Sequence, residues 1–113
     1  MPETYARVET TTDLDRLFAQ SDQHDVVLFN HDPWCPISGR AIKEMNQVAH
    51  DVALIDVSRF HAITSAVAER TRVRHESPQV LILRRGQATW SASHFAITAE
   101  AVNQAVSATD SDR

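Results

Sequence analysis

The sequence predicts an α/β fold in three layers, a central mixed β-sheet with helices on both faces. Three observations support this. Three short apolar runs, residues 26–29 (VVLF), 52–57 (VALIDV) and 79–83 (QVLIL), are continuous rather than alternating, the pattern of strands buried on both faces. Around them lie segments whose apolar residues recur every three or four positions, the period of an amphipathic helix. The third run passes through Arg84-Arg85-Gly86-Gln87 into an alternating segment, a turn signal that pairs two strands as a hairpin.

Each element follows from its residues. Residues 5–9 (YARVE) are a weak candidate for a first edge strand. Thr12 with Asp15 three positions on has capping-box spacing, and Leu14, Leu17 and Phe18 then share one helical face. Residues 26–29 form the first central strand. Beyond Cys35, the positions Ile37, Ala41, Ile42, Met45, Val48 and Ala49 predict a helix of about three turns packed on the sheet. Residues 52–57 give a second central strand, and Ile63, Ala66, Val67 and Ala68 another helix. In the hairpin, Ala88, Trp90 and Ala92 alternate against Thr89, Ser91 and Ser93, so one face of that strand is expected inward. A last helix starts near Thr98, a good N-cap, and turns Ala101, Val102, Ala105 and Val106 inward. A strand–helix–strand unit followed by a hairpin and a helix is the thioredoxin-like arrangement.

Length and composition narrow the function classes. The chain of 113 residues is expected to be one domain, with an ordered core over about 5–107 and a polar C-terminal tail. It is long enough to bury a core without disulfides or a metal. A net charge of -4 offers no basic surface for a phosphate backbone, so nucleic acid is not an expected partner. The start MPETYARVETTT lacks the apolar stretch of a signal peptide. No apolar run approaches the roughly 18 residues of a membrane helix, so no membrane partner is expected either. With no export signal and no second cysteine, the expected location is the cytoplasm, where a lone thiol stays reduced unless it is used.

That lone thiol is Cys35, in HDPWCPISGR. It falls between a buried strand and an amphipathic helix. Pro36 suits the first helical position, where its missing N–H costs nothing, which makes Cys35 the N-cap. A helix N-terminus presents free N–H groups and the positive end of the macrodipole, and both favour a thiolate. Thiolate is the attacking species in disulfide exchange. The plain alternative is a small buried hydrophobe; the strand–Cys–Pro–helix placement favours the reactive thiol. In a dithiol oxidoreductase the second cysteine would stand three positions on, where this chain has Ser38. Ser38 can hydrogen-bond a thiolate but cannot close a disulfide, so any redox cycle must pass through a mixed disulfide with a partner thiol.

A second signal is Pro78, directly before an apolar strand, a position where proline is tolerated. In a thioredoxin-like fold the loop entering this strand faces the cysteine. A cis Ser77–Pro78 bond would turn backbone groups toward it. An X–Pro bond is cis in only about 5–6% of cases, so the proline alone does not fix the isomer.

Taken together, Cys35-Pro36-Ile37-Ser38 after a buried strand, His75-Glu76-Ser77-Pro78-Gln79, and Ser93-His94-Phe95 with Ile97-Thr98 resemble the monothiol bacilliredoxin-like proteins of the bacillithiol system, once described as general stress proteins. The segments occur in that family's order and spacing over about residues 10–106. The resemblance implies a thioredoxin fold, Cys35 as the redox residue and a cis-proline at Pro78. It also implies reduction of mixed disulfides between client proteins and bacillithiol, a low-molecular-weight thiol acting as co-substrate, with no bound cofactor. One departure is visible. Where the family has a Lys-His-Ser-Thr-like stretch, this chain reads Asn30-His31-Asp32-Pro33-Trp34, which removes a cation and adds the opposing charge of Asp32.

Around the thiol, Trp34, Pro36, Ser38, Ser77, Pro78 and His94 are the expected contacts for a thiol substrate. Trp34 is a candidate lid or ordinary packing, and His94 reads first as a packed or hydrogen-bonded residue beside the hairpin, with a ring that would also suit proton transfer. Arg40 and Lys43 on the exposed face of the cysteine's helix read first as solvated, and would also attract the carboxylate of an anionic thiol ligand. His31, His75 and His94 near Cys35 make no compact zinc set, so no metal is expected. Two rival functions remain: a monothiol glutaredoxin-like iron–sulfur carrier, against which Pro36-Ile37 stands in place of a Gly-Phe pair, and a non-catalytic thioredoxin-like binding module.

Overall fold

A computed structural model of the chain describes residues 5–110. The elements run β1 (Tyr5–Arg7), α1 (Thr11–Gln20), β2 (Val26–His31), α2 (Pro36–Met45), β3 (Val52–Asp56), α3 (His61–Thr71), β4 (Gln79–Arg84), β5 (Gln87–Ser93) and α4 (Ala99–Asp110), with a 3-10 turn at His94–Ala96 before α4. The sheet order is β1-β3-β2-β4-β5. β3 is parallel to β1 and β2, while β4 is antiparallel to β2 and β5. The sheet is therefore mixed, as the sequence predicts.

Continuous apolar strands make the three layers possible. On β2, Val26 and Leu28 face one cluster while Val27 and Phe29 face the other. The first cluster is closed by Leu14, Leu17 and Phe18 of α1 and Ile63 and Val67 of α3. The second is closed by Ala41 and Met45 of α2 and Val102 and Val106 of α4. Each fully buried Leu, Phe or Met side chain contributes about 1.5–3 kcal/mol, so a sheet apolar on both faces requires both helical layers.

Local differences from expectation have local causes. The capping box forms at Thr10 and not at Thr12: Thr10 Oγ1 accepts the Asp13 N–H at 3.0 Å, and Asp13 Oδ2 accepts the Thr10 N–H at 3.2 Å. Both threonines have an aspartate three positions on, but Asp15 pairs across the layer with Arg70 of α3 at 2.8 Å. α2 ends at Met45, so Val48 is buried from the connection to β3 and not from the helix. In β5, Ala88 packs on the α1/α3 side whereas Trp90 and Ala92 pack on the α2/α4 side. The register shifts there, with Ile82 opposite Trp90 and Leu83 opposite Ala88. Thr89 is the extra residue of a bulge, which moves the next inward side chain to the other face. Arg85 and Gly86 both have positive φ in the hairpin turn, and the Arg85 N–H donates to the Ser21 carbonyl at 2.8 Å. Thr98 Oγ1 accepts the Ala101 N–H at 3.1 Å, a capping contact for α4. α4 runs to Asp110, three residues beyond the expected core; residues 1–4 and 111–113, including the end of the expected tail, lie outside the described residues.

Candidate functional site

One end of the sheet gathers the chemistry. β2 delivers His31 there, β4 begins there at Gln79, and β5 ends there at Ser93. The pairs Asn30–Gln79 and Gln79–Ser93 fix this register. Trp34, Cys35, Pro36 and Ser38 lie in the loop and helix start after β2; Ser77 and Pro78 lie in the loop before β4; His94 follows β5. All seven sequence-predicted site residues therefore share one end of the fold.

Cys35 is the N-cap of α2, with extended backbone (φ -101, ψ 124) and Pro36 at the first helical position. The first helical bond runs from the Gly39 N–H to the Cys35 carbonyl at 2.9 Å. The Cys35 side chain makes no capping hydrogen bond. Its thiol is free and partly exposed, and the first-turn N–H groups and the helix dipole favour negative charge at that point.

The loop before the sulfur is tied from inside. The Asp32 carbonyl accepts the Cys35 N–H at 3.1 Å, and Asp32 Oδ1 accepts the Trp34 N–H at 3.0 Å. The Asp32 N–H donates to Ser38 Oγ at 2.9 Å. Ser38, expected to bind a thiol substrate, is fully buried, with its oxygen also 2.7 Å from His31 Nδ1. Burial holds the His31 imidazole below its ordinary value, against the pull of Asp56 and Asp32 and with a small push from Arg7.

On the facing loop the Ser77–Pro78 bond is cis, and the Pro78 carbonyl accepts the His94 N–H at 3.1 Å. A buried amide pair stitches this loop to β2. Asn30 Nδ2 donates to Gln79 Oε1 at 3.0 Å, Gln79 Nε2 donates to the Arg74 carbonyl at 2.9 Å, and Gln79 Oε1 also takes the Glu76 N–H at 3.3 Å. Asn30 Oδ1 and Ser77 Oγ are buried without a partner. His94 has left-handed backbone (φ 54), and its Nε2 is 3.9 Å from Glu76 Oε2. Burial also lowers His75, opposed by Glu76 and assisted by His61.

Above this framework the surface is open and aromatic. Trp34 is 83% exposed and Phe95 58% exposed. Arg40 lies 5.0 Å over the Phe95 ring, a cation–π contact. A cavity of about 610 Å³ sits at the other end of the sheet, lined by Gln20, His24, Asp25, His50 and Asp51 among others, away from the sulfur. Among the described residues no group of three or more His, Cys, Asp or Glu converges as a metal site, and no helix is long and apolar enough to cross a membrane.

Sequence reasoning missed the roles of His31, Asn30 and Gln79. Asn30 and Gln79 each end or begin an apolar run, a hint of a buried polar pair. The His31–Ser38 contact runs from the end of β2 across a loop into α2, so the period of neither element reports it.

Comparison with known proteins agrees with this geometry. The family model described as monothiol bacilliredoxin BrxC matches residues 6–102. Among solved structures, a proposed oxidoreductase with a thioredoxin fold superposes with a TM-score of 0.82 at 23% identity, covering 89% of this chain and 92% of that one. Thioredoxin from Trypanosoma brucei brucei gives 0.76 at 16% identity, with coverage of 98% and 95%. Thioredoxin from Fasciola hepatica gives 0.71 at 13% identity, with coverage of 91% and 97%. These structural likenesses establish the thioredoxin fold.

Proposed function

From the premise that this chain belongs to the monothiol bacilliredoxin family, a family of thiol oxidoreductases, we propose that it removes a low-molecular-weight thiol, bacillithiol, from S-thiolated client proteins. The reaction begins with the Cys35 thiolate attacking the sulfur of the low-molecular-weight thiol in the client's mixed disulfide. The client S–S bond breaks, a Cys35 mixed disulfide forms, and the client thiolate leaves and takes a proton. A second molecule of the thiol, as its thiolate, then attacks the adduct, giving a low-molecular-weight disulfide and free Cys35. Two electrons pass from that thiol pool to the client, and no bound cofactor takes part.

The observation that carries this reading is the placement of Cys35: N-cap of α2, Pro36 at the first helical position, and Ser38 where a second thiol would stand. The helix start stabilises both the attacking and the leaving thiolate. A buried serine cannot compete for the adduct, so the mixed disulfide persists until an external thiol arrives. Trp34 and Phe95 supply apolar contact for a client segment beside the sulfur. The Ser77 backbone offers polar groups to an extended segment, and His94 is available as a proton donor to the leaving sulfur. The open surface suits a protein client, and the chemistry requires a reducing compartment, the cytoplasm.

The test is isolation from the host under thiol-trapping conditions, followed by mass spectrometry of the Cys35 peptide. A bacillithiol adduct is expected, and Cys35→Ser should keep the fold and lose all exchange. Exchange retained by Cys35→Ser would exclude the reading; an adduct of another thiol would correct the co-substrate.

A further inference from the structure

Ser38 is fully buried, and its oxygen has two neighbours, the Asp32 N–H at 2.9 Å and His31 Nδ1 at 2.7 Å. A serine hydroxyl donates one proton and accepts on two lone pairs. The Asp32 N–H can only donate, so it occupies a lone pair. If His31 Nδ1 also carried a proton, the Ser38 O–H would be left buried with no acceptor. If Nδ1 is bare, Ser38 donates to it and every group is satisfied, as buried polar groups normally are. The arrangement thus selects a neutral imidazole protonated on Nε2. The bonds continue to the cysteine, because the Asp32 carbonyl accepts the Cys35 N–H and Asp32 Oδ1 the Trp34 N–H.

We infer that His31 is a positioning residue for thiol–disulfide exchange: its bare Nδ1 holds the Ser38 hydroxyl, and Ser38 fixes the Asp32–Cys35 loop that aims the sulfur. The inference rests on Cys35 being the exchanging thiol. It gives the residue three positions after the cysteine a task of its own, anchoring the loop in place of resolving the adduct. It also makes the loop sensitive to acid. Protonated His31 becomes a donor at Nδ1, the Ser38 O–H loses its acceptor, and the tie weakens. Among the described residues, the charged groups that act on His31 are Asp56 at the end of β3, Asp32 in the loop directly after β2 and Arg7 on β1. The two carboxylates favour the imidazolium; burial opposes and outweighs them.

The experiment compares wild type with H31N and H31L. Asparagine keeps an acceptor at the Nδ1 position and does not titrate; leucine keeps neither property. Exchange on a purified protein–bacillithiol mixed disulfide is measured from about pH 5 to 8 and divided by the rate of Cys35 alkylation by iodoacetamide, so that thiolate content cancels. The wild-type ratio should fall several-fold below about pH 6.5. H31L should be roughly tenfold low at every pH, the scale of one lost hydrogen bond in the aligned state. H31N should lie within about twofold of wild type at the alkaline end and show no acid limb. H31L at the wild-type rate, or H31N as impaired as H31L, would overturn the inference. Because H31L can also lose the fold, the ring ¹⁵N shifts of wild-type His31 give an independent decision. A proton on Nε2 at neutral pH supports the inference, and a proton on Nδ1 overturns it. Wild type without any exchange would refute the role of Cys35, while the ring shifts would still decide the His31–Ser38 tie.

Discussion

Ser38→Ala isolates the tie beneath the cysteine. The substitution removes one oxygen from a fully buried position and leaves the helix start otherwise intact. Two hydrogen bonds are lost, to the Asp32 N–H and to His31 Nδ1, each about 0.5–1.5 kcal/mol. A stranded, fully buried donor adds about 1–3 kcal/mol, but Asp32 and His31 are only half-buried, so water relieves part of that. The expected loss is about 2 kcal/mol. For a domain of this size that corresponds to a Tm lower by roughly 10 °C and a urea midpoint lower by about 1 M, with an unchanged slope. Thermal and urea melts followed by circular dichroism measure it. A loss below about 0.5 kcal/mol, the scale of an ordinary surface substitution, would show that the Ser38 hydroxyl ties nothing down, and the reasoning about the loop would fail with it.

Two further outcomes follow from the same geometry. Ser38→Cys places a thiol three positions after the N-cap, the spacing of dithiol oxidoreductases. It should form an internal disulfide under mild oxidant, detected as a loss of two hydrogen atoms by mass spectrometry. Its reduced form should be less stable than wild type, since the loop tie is gone; a dithiol that never closes would mean that Cys35 and position 38 do not face one another. The second concerns pH. His31 and His75 are both held below their ordinary value by burial, so as pH falls the unfolded chain takes up these protons first. Their stabilisation is complete above the unfolded value of about 6.5 and is lost as pH falls through the lower folded values. The urea midpoint should therefore drop between neutral pH and about pH 5, with a smaller drop in H31N and in His75→Asn; equal drops in all three proteins would contradict the assignment.

What the sequence reveals and what it hides divide along a physical line. The layers were legible because burial on two faces leaves an unbroken apolar run, and the short length and β-branched and aromatic content of Val26 to Phe29 favour a strand over a buried helix. Cys35 as N-cap was legible because Pro36 tolerates few other positions. The capping box was displaced because Thr10-Asp13 and Thr12-Asp15 are equivalent locally, and only the Asp15–Arg70 pair across the fold separates them. The bulge at Thr89 was hidden because alternation in one strand does not report the register of its partner. The His31–Ser38 tie was hidden for the same kind of reason, since it depends on the loop folding back over α2. That contact changes the meaning of the missing second cysteine. Read as sequence, Ser38 stands where a resolving thiol would and is an expected contact for the thiol substrate. In the fold its oxygen is bonded on the inner side to the loop that presents Cys35, so the position has exchanged one function for another. On the proposed mechanism, in which the adduct is released only to an external thiol, both features act in one direction: no internal competitor for the mixed disulfide, and a sulfur held in place while the second thiol arrives.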